Sequence, residues 1–185
     1  MNLFKLCTAT IFSALLIILV ACSSDDKGSS DGTDFGNFQL TVSGDFEATK
    51  SGFADFDGLD AFGVQTWEIS MNDNNPSTIS LQFMLASSTT QVARPSTGTY
   101  EIGFDANSTS VFSAIYTHIP DGNFMASEEY STLPEGYGGT LTITSSSDNK
   151  VEGSFEFSVA KTDNNFNVVG DITVSGEFNA RKRMN

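Results

Sequence analysis

The chain has 185 residues, with 9 basic residues against 23 acidic ones and a net charge of −14. That length suits one ordinary domain with a core and is short for two. The acidity argues against nucleic acid and anionic membrane surfaces as partners, since both would repel it. Two cysteines and one histidine leave little for disulfides, thiol chemistry or zinc.

The first element is a targeting segment. Asn2 and Lys5 form a short, positively charged start, and Leu6 to Val20 make an apolar run of 15 residues. A bilayer span needs about 20 such residues, so the run reads as the apolar region of a secretory signal. The quartet Leu19-Val20-Ala21-Cys22 follows and resembles the lipobox of bacterial lipoproteins. That resemblance implies cleavage before Cys22, diacylation of its thiol and a further acylation of the new N-terminus. The residue types suit that chemistry: the thiol is a nucleophile fit for a thioether, and the small Ala21 leaves the bond accessible. Burial of acyl chains is worth about 0.8 kcal/mol per methylene, so more than one chain gives lasting attachment to a membrane. Cys7 leaves with the signal, so the mature protein has no disulfide. Lys5 leaves too, and eight basic residues then face 23 acidic ones, a net charge of −15.

Residues 1–21 are thus expected as signal peptide, 22–36 as lipidated Cys22 with a flexible tether, and 37–183 as the folded domain. The tether is Ser, Asp and Gly with one Lys and a single Phe near its end, a composition that cannot bury enough apolar surface to fold. Its start, "SSDDKGSSDGTD", resembles the acidic post-cysteine signals of Bacteroidetes surface lipoproteins. The resemblance implies an outer-membrane, lipid-anchored location on the cell surface, with the periplasmic face as the alternative.

From Phe38 onward the apolar pattern has a period of two. Phe38, Leu40 and Val42 alternate with polar residues, as do Ile79, Leu81, Phe83 and Leu85, then Tyr100, Ile102 and Phe104; "VFSAIYT" and "TLTIT" continue the pattern. Such alternation predicts half-buried antiparallel strands. Turn clusters separate them: "NDNNPS", "RPSTG", "DANSTS", "IPDGN", "SSSDNK" and "KTDNN". About nine strands are expected, with one helical turn at "SEEYSTL". The fold class is all-β, a single antiparallel β-sandwich, with a small lipocalin-like β-barrel as the alternative.

An internal echo supports the strands. "LTVSGDFEATK" (Leu40 to Lys50) and "ITVSGEFNARK" (Ile172 to Lys182) agree at seven of eleven positions, and Val-x-Gly-x-Phe recurs at Val151 to Phe155. Gly44, Gly153 and Gly176 are expected mid-strand, where glycine marks a bulge or a bend. The first and last copies open and close the domain and are expected side by side. The stretch from Gly138 to Lys182, with "GTYEIGF" upstream, resembles small Bacteroidetes lipoproteins grouped as a domain of unknown function. The matching motifs are Gly139 to Thr144, Lys150 to Ala160 and Gly176 to Ala180. The resemblance implies a β-rich extracytoplasmic domain and carries over no catalytic residue.

Candidate chemistry is sparse. His118, near a strand end before Pro120, has no Gly-x-Ser-x-Gly elbow to serve. Glu128 and Glu129 beside Tyr130 suggest a glycosidase pair, but adjacent residues on a strand point to opposite faces. Trp67 with Glu68 offers an aromatic platform beside an acid; parity puts Trp67 in the core and Glu68 in water. In "SGFADFDGLDAFG", Asp55, Asp57 and Asp60 around Gly58 are weak calcium candidates, since hard cations take oxygens from a turning loop. This stretch lacks the spacing and the closing Glu of an EF-hand loop. Phe53, Phe56, Leu59 and Phe62 suggest a loop folded back on the core. Fourteen phenylalanines remain after the signal, enough to fill a core or to line an apolar cavity. The expected function is a non-catalytic binding or interaction module at a membrane, with no cofactor. An apolar-ligand barrel is the alternative, and a carboxylate hydrolase the second one.

Overall fold

The computed structural model describes residues 35–61, 64–73, 76–87, 92–105 and 108–183. The segment expected as signal peptide, Leu19, Val20, Ala21, Cys22 and the expected tether up to residue 34 lie outside the described residues. Ten strands follow: β1 (Gly36–Gly44), β2 (Ala48–Ala61), β3 (Val64–Asp73), β4 (Ile79–Leu85), β5 (Gly98–Ile102), β6 (Val111–His118), β7 (Glu128–Ser131), β8 (Gly138–Ser146), β9 (Lys150–Thr162) and β10 (Val168–Lys182). The all-β, mostly antiparallel expectation holds.

The strands form one sheet that closes in a ring. Pairing runs β1-β2-β3-β4-β6-β5-β8-β9-β10 and returns from β10 to β1. Between β6 and β9 the wall is shared. β5 and β8 complete one half, while β7 pairs with the other end of β6 and touches β9 at Ser131 and Ala160. β10 outruns β1, so its Arg181 and Lys182 pair in parallel with Asp55 and Phe56 of β2. A continuous ring leaves few free edge groups, which matters for a domain whose described residues include no cysteine.

Strand parity assigns the interior. Phe38, Leu40 and Val42 of β1, and Ile79, Leu81, Phe83 and Leu85 of β4, are all buried. The ring is filled in a sandwich-like way: Phe83 of β4 meets Phe155 and Phe157 of β9, with ring centroids 5.1 and 5.4 Å apart. β4 and β9 lie on opposite walls in the pairing order, so these rings bridge the interior.

The two copies of the echo do pair: Phe38 faces Phe178, Leu40 faces Gly176 and Val42 faces Val174. Their glycines differ from expectation. Gly44 ends β1 at φ 121° rather than sitting mid-strand. Gly153 and Gly176 are mid-strand without being bulged. Each faces the interior beside a phenylalanine, Gly153 opposite Phe178 and Gly176 opposite Phe155, and Gly139 likewise stands opposite Phe157. Alternating small and large residues lets bulky rings fit inside a tightly closed sheet. The β8–β9 bulge falls across from Gly153, where Thr144 is the extra residue between Ile143 and Ser145.

Three further expectations change. "SEEYSTL" supplies strand β7, and the helical turns lie just upstream as two 3-10 segments, Pro120–Gly122 and Phe124–Ala126. Phe104 leaves the sheet after β5 and is exposed. The stretch containing Asp55, Asp57 and Asp60 is strand β2, not a loop. Its Phe56 is buried and its Phe53 faces outward.

Candidate functional site

The outer wall over β2, β1, β10 and β9 carries two cross-strand rows of outward side chains, polar except for Phe53. Register sets one row as Phe53, Asn37, Asn179 and Glu152, and the next as Ser51, Gln39, Glu177 and Ser154. Residues directly opposite on neighbouring strands stand about 5 Å apart at their β carbons, so Asn37, Asn179 and Glu152 in the first row and all four residues of the second form bands of hydrogen-bonding groups, with Phe53 ending the first. A cleft of about 520 Å³ opens here, lined by Asn37, Gln39, Glu152, Glu177 and Asn179, with Thr144 at its β8 side. A shallower one of about 310 Å³ extends it along β10 past Ser175 and Gly176. The larger volume falls within the roughly 300–1,000 Å³ of small-molecule sites.

Local chain features build this concavity. The unpaired Thr144 is re-aimed by the β8 bulge, a device that recurs beside binding sites, and its hydroxyl donates to the Glu152 carbonyl at 3.3 Å. Lys150 holds the Glu152 carboxylate at 2.5 Å. Among the described residues Glu177 has no ion pair, and the buried Asn179 amide oxygen has no hydrogen-bond partner. Phe35 and Phe53, each about half exposed, lie at the end of the first row with ring centroids 5.6 Å apart.

Asp55 and Asp57 share the outer face of β2, opposite Ser70 and Glu68 of β3. Arg183 reaches over them: its Nη2 donates to Asp55 Oδ1 at 2.5 Å, to Glu68 Oε1 at 3.3 Å and to Ser70 Oγ at 3.2 Å. Glu68 therefore lies on the face opposite to Trp67, as parity requires, yet is buried rather than in water. Burial pushes the Asp55 carboxyl above its ordinary range, opposed by the Arg183 hydrogen bond and charge. Asp57 accepts from the Gly58 amide at 2.8 Å. Among the described residues no group of three or more His, Cys, Asp or Glu is placed to hold a metal ion. The "TDNN" oxygens serve a turn, where Asp163 accepts from the Asn165 and Asn167 amides.

His118, Glu128 and Tyr130 gather at one end of the ring. The His118 ring stacks on Phe46 at 4.5 Å, and its Nδ1 lies 3.6 Å from Glu128. Lys161 donates to Glu128 at 2.5 Å, which, together with His118, holds that carboxyl below its usual range. Glu129 is exposed on the other face, so Glu128 and Glu129 do not converge. Burial, then the charges of Glu128 and Asp45, push the Tyr130 phenol up to about 12. Tyr116 is wholly buried, and its hydroxyl has no partner among the described residues.

The cleft residues escaped the sequence reading. Asn37, Gln39, Glu177 and Asn179 register there only as the polar half of an alternation. The available signal was the pairing of the strands that carry the two echo copies, which brings Glu177 and Asn179 of the second copy beside Gln39 and Asn37 just ahead of the first. No family model, curated protein or solved structure matches this chain.

Proposed function

We propose that this chain is an outer-membrane lipoprotein, anchored through acylated Cys22, displayed on the cell surface, and acting as a non-catalytic binding module. One observation supports the binding mode above others: the interior is filled by aromatic rings while a polar cleft of about 520 Å³ opens on the outer wall. A ligand is thus met on the outside. The alternative of an apolar ligand inside the ring competes for space with Phe83, Phe155 and Phe157. A carboxylate hydrolase needs a general acid kept protonated by burial, whereas in the cleft Glu177 is exposed and Glu152 is held by Lys150.

The anchor and its display are tested in cells. Wild-type protein is expected in the outer-membrane fraction, acylated and digested by protease added to intact cells, and Cys22→Ser is expected in the soluble fraction. Membrane retention of Cys22→Ser refutes the anchor, and protection of the wild type from added protease refutes surface display.

A further inference from the structure

We infer that the outer cleft takes a neutral, polyhydroxylated chain, an oligosaccharide lying across β1 and β10 with its apolar face against Phe35 and Phe53. This rests on the binding-module reading and names its ligand class.

Four observations select that chemistry. Most of the lining is amides and hydroxyls, which both donate and accept as sugar hydroxyls do, and carboxylates, which accept. A carboxylate such as Glu177 accepts from two neighbouring hydroxyls at once, and Asn37, Gln39 and Asn179 on adjacent strands repeat donor–acceptor pairs along the same band. The half-exposed Phe35 and Phe53 rings, next to Asn37 in register, offer a face for the C–H groups of a pyranose. Phe38 and Phe178 also border the cleft but are buried, so polar side chains supply most of the surface a ligand meets.

Charge narrows the class further. No lysine or arginine is among the described residues lining the cleft, and the chain is strongly acidic, so phosphate, sulfate and uronate groups are repelled. Lys150 already neutralises Glu152, so a polycation finds one free carboxylate, at Glu177, too few to hold it. An extended peptide adding a strand is also disfavoured, because β1 and β10 are hydrogen-bonded on both sides and the cleft lies on a sheet face, not an edge.

The test uses the native lipidated protein in a sugar-free detergent. It is titrated calorimetrically with neutral hexasaccharides of glucose, mannose and xylose, with hexagalacturonate and spermine as charged comparators. At least one neutral hexasaccharide is expected to bind, and hexagalacturonate about tenfold or more weakly. Phe53→Ala and Glu177→Gln, both at exposed positions, are each expected to weaken binding about tenfold, equivalent to roughly 1.4 kcal/mol, with unchanged thermal unfolding. Glu129→Gln, on a different part of the ring, is expected to bind like wild type. Absence of binding by every neutral hexasaccharide, or binding indifferent to both cleft variants, overturns the inference. Preferred binding of spermine overturns the ligand class and leaves the binding-module reading intact. Release of new reducing ends overturns the module reading and leaves the glycan contact standing.

Discussion

Gly153 of β9 stands opposite Phe178 of β10, and a β carbon placed on it would lie 3.1 Å from the Phe178 ring and 2.1 Å from the Thr142 carbonyl oxygen. The ring side chain could shift, but the β8 backbone could not without breaking the ladder. Gly153→Ala is therefore expected to cost about 2–3 kcal/mol, at the upper end of overpacking effects. Urea unfolding measures it, and a loss below about 0.5 kcal/mol would contradict the fit described for these rows.

Phe83 carries the opposite relationship, a large side chain bridging two walls. It is fully buried and meets both Phe155 and Phe157. Phe83→Ala removes both contacts and opens a cavity, for an expected loss of about 3–5 kcal/mol. Phe83→Leu keeps most of the volume and is expected to lose less than half as much. Equal stability of Phe83→Ala and wild type would mean that the ring is not packed through its middle.

These positions also mark how far the residues speak for themselves. Alternation at Phe38–Val42 and Ile79–Leu85 identified strands and their inner faces, because period two is a local property. The pairing of the echo copies followed from their place at the two ends of the domain. Closure in a ring did not, since it depends on β5, β7 and β8 sharing one gap, which is a matter of register between distant segments. Asp55 and Asp57 looked like loop oxygens beside Gly58, because nothing local reveals that Arg183 will cover them. The cleft was hidden for the same reason: Asn37 and Asn179 are 142 positions apart in sequence, by subtraction, and become neighbours only through the β1–β10 ladder.

Arg183 is expected to be a clamp for that outer carboxylate face. Arg183→Met leaves Asp55 and Glu68 without their cation. Removing one partner of a buried pair costs about 3–5 kcal/mol, but Arg183 is about one-third exposed, so screening reduces the expectation to about 1–3 kcal/mol. The sign with pH follows from Asp55, whose carboxyl is raised by burial. A raised native value means that folding favours the protonated form, so the penalty is largest at neutral pH and shrinks as pH falls towards the unfolded value, about 3.9. Urea midpoints at pH 8 and pH 5 check this. Adding Asp55→Asn to the variant is expected to recover part of the loss at pH 8.

Asp73 behaves in the opposite sense. It closes the β3–β4 connection by accepting from the Thr78 amide at 2.6 Å, the Ile79 amide at 3.0 Å and the Ser77 hydroxyl at 3.2 Å, with the Thr78 hydroxyl on its other oxygen. Burial works against its charge, yet these bonds prevail and hold the carboxyl below its ordinary range. A depressed native value contributes stability that is fully present above the unfolded value, about 3.9, and is lost as pH falls through the native one. Asp73→Asn keeps the shape and one acceptor but loses the charge and the attraction of Lys50, 3.7 Å away. It is expected to cost about 1–2 kcal/mol at pH 7, with the gap to wild type narrowing from pH 4 downward. Urea midpoints at pH 7, 4 and 2 follow that convergence. A gap that stays constant across the three would show that the side chain acts through shape alone.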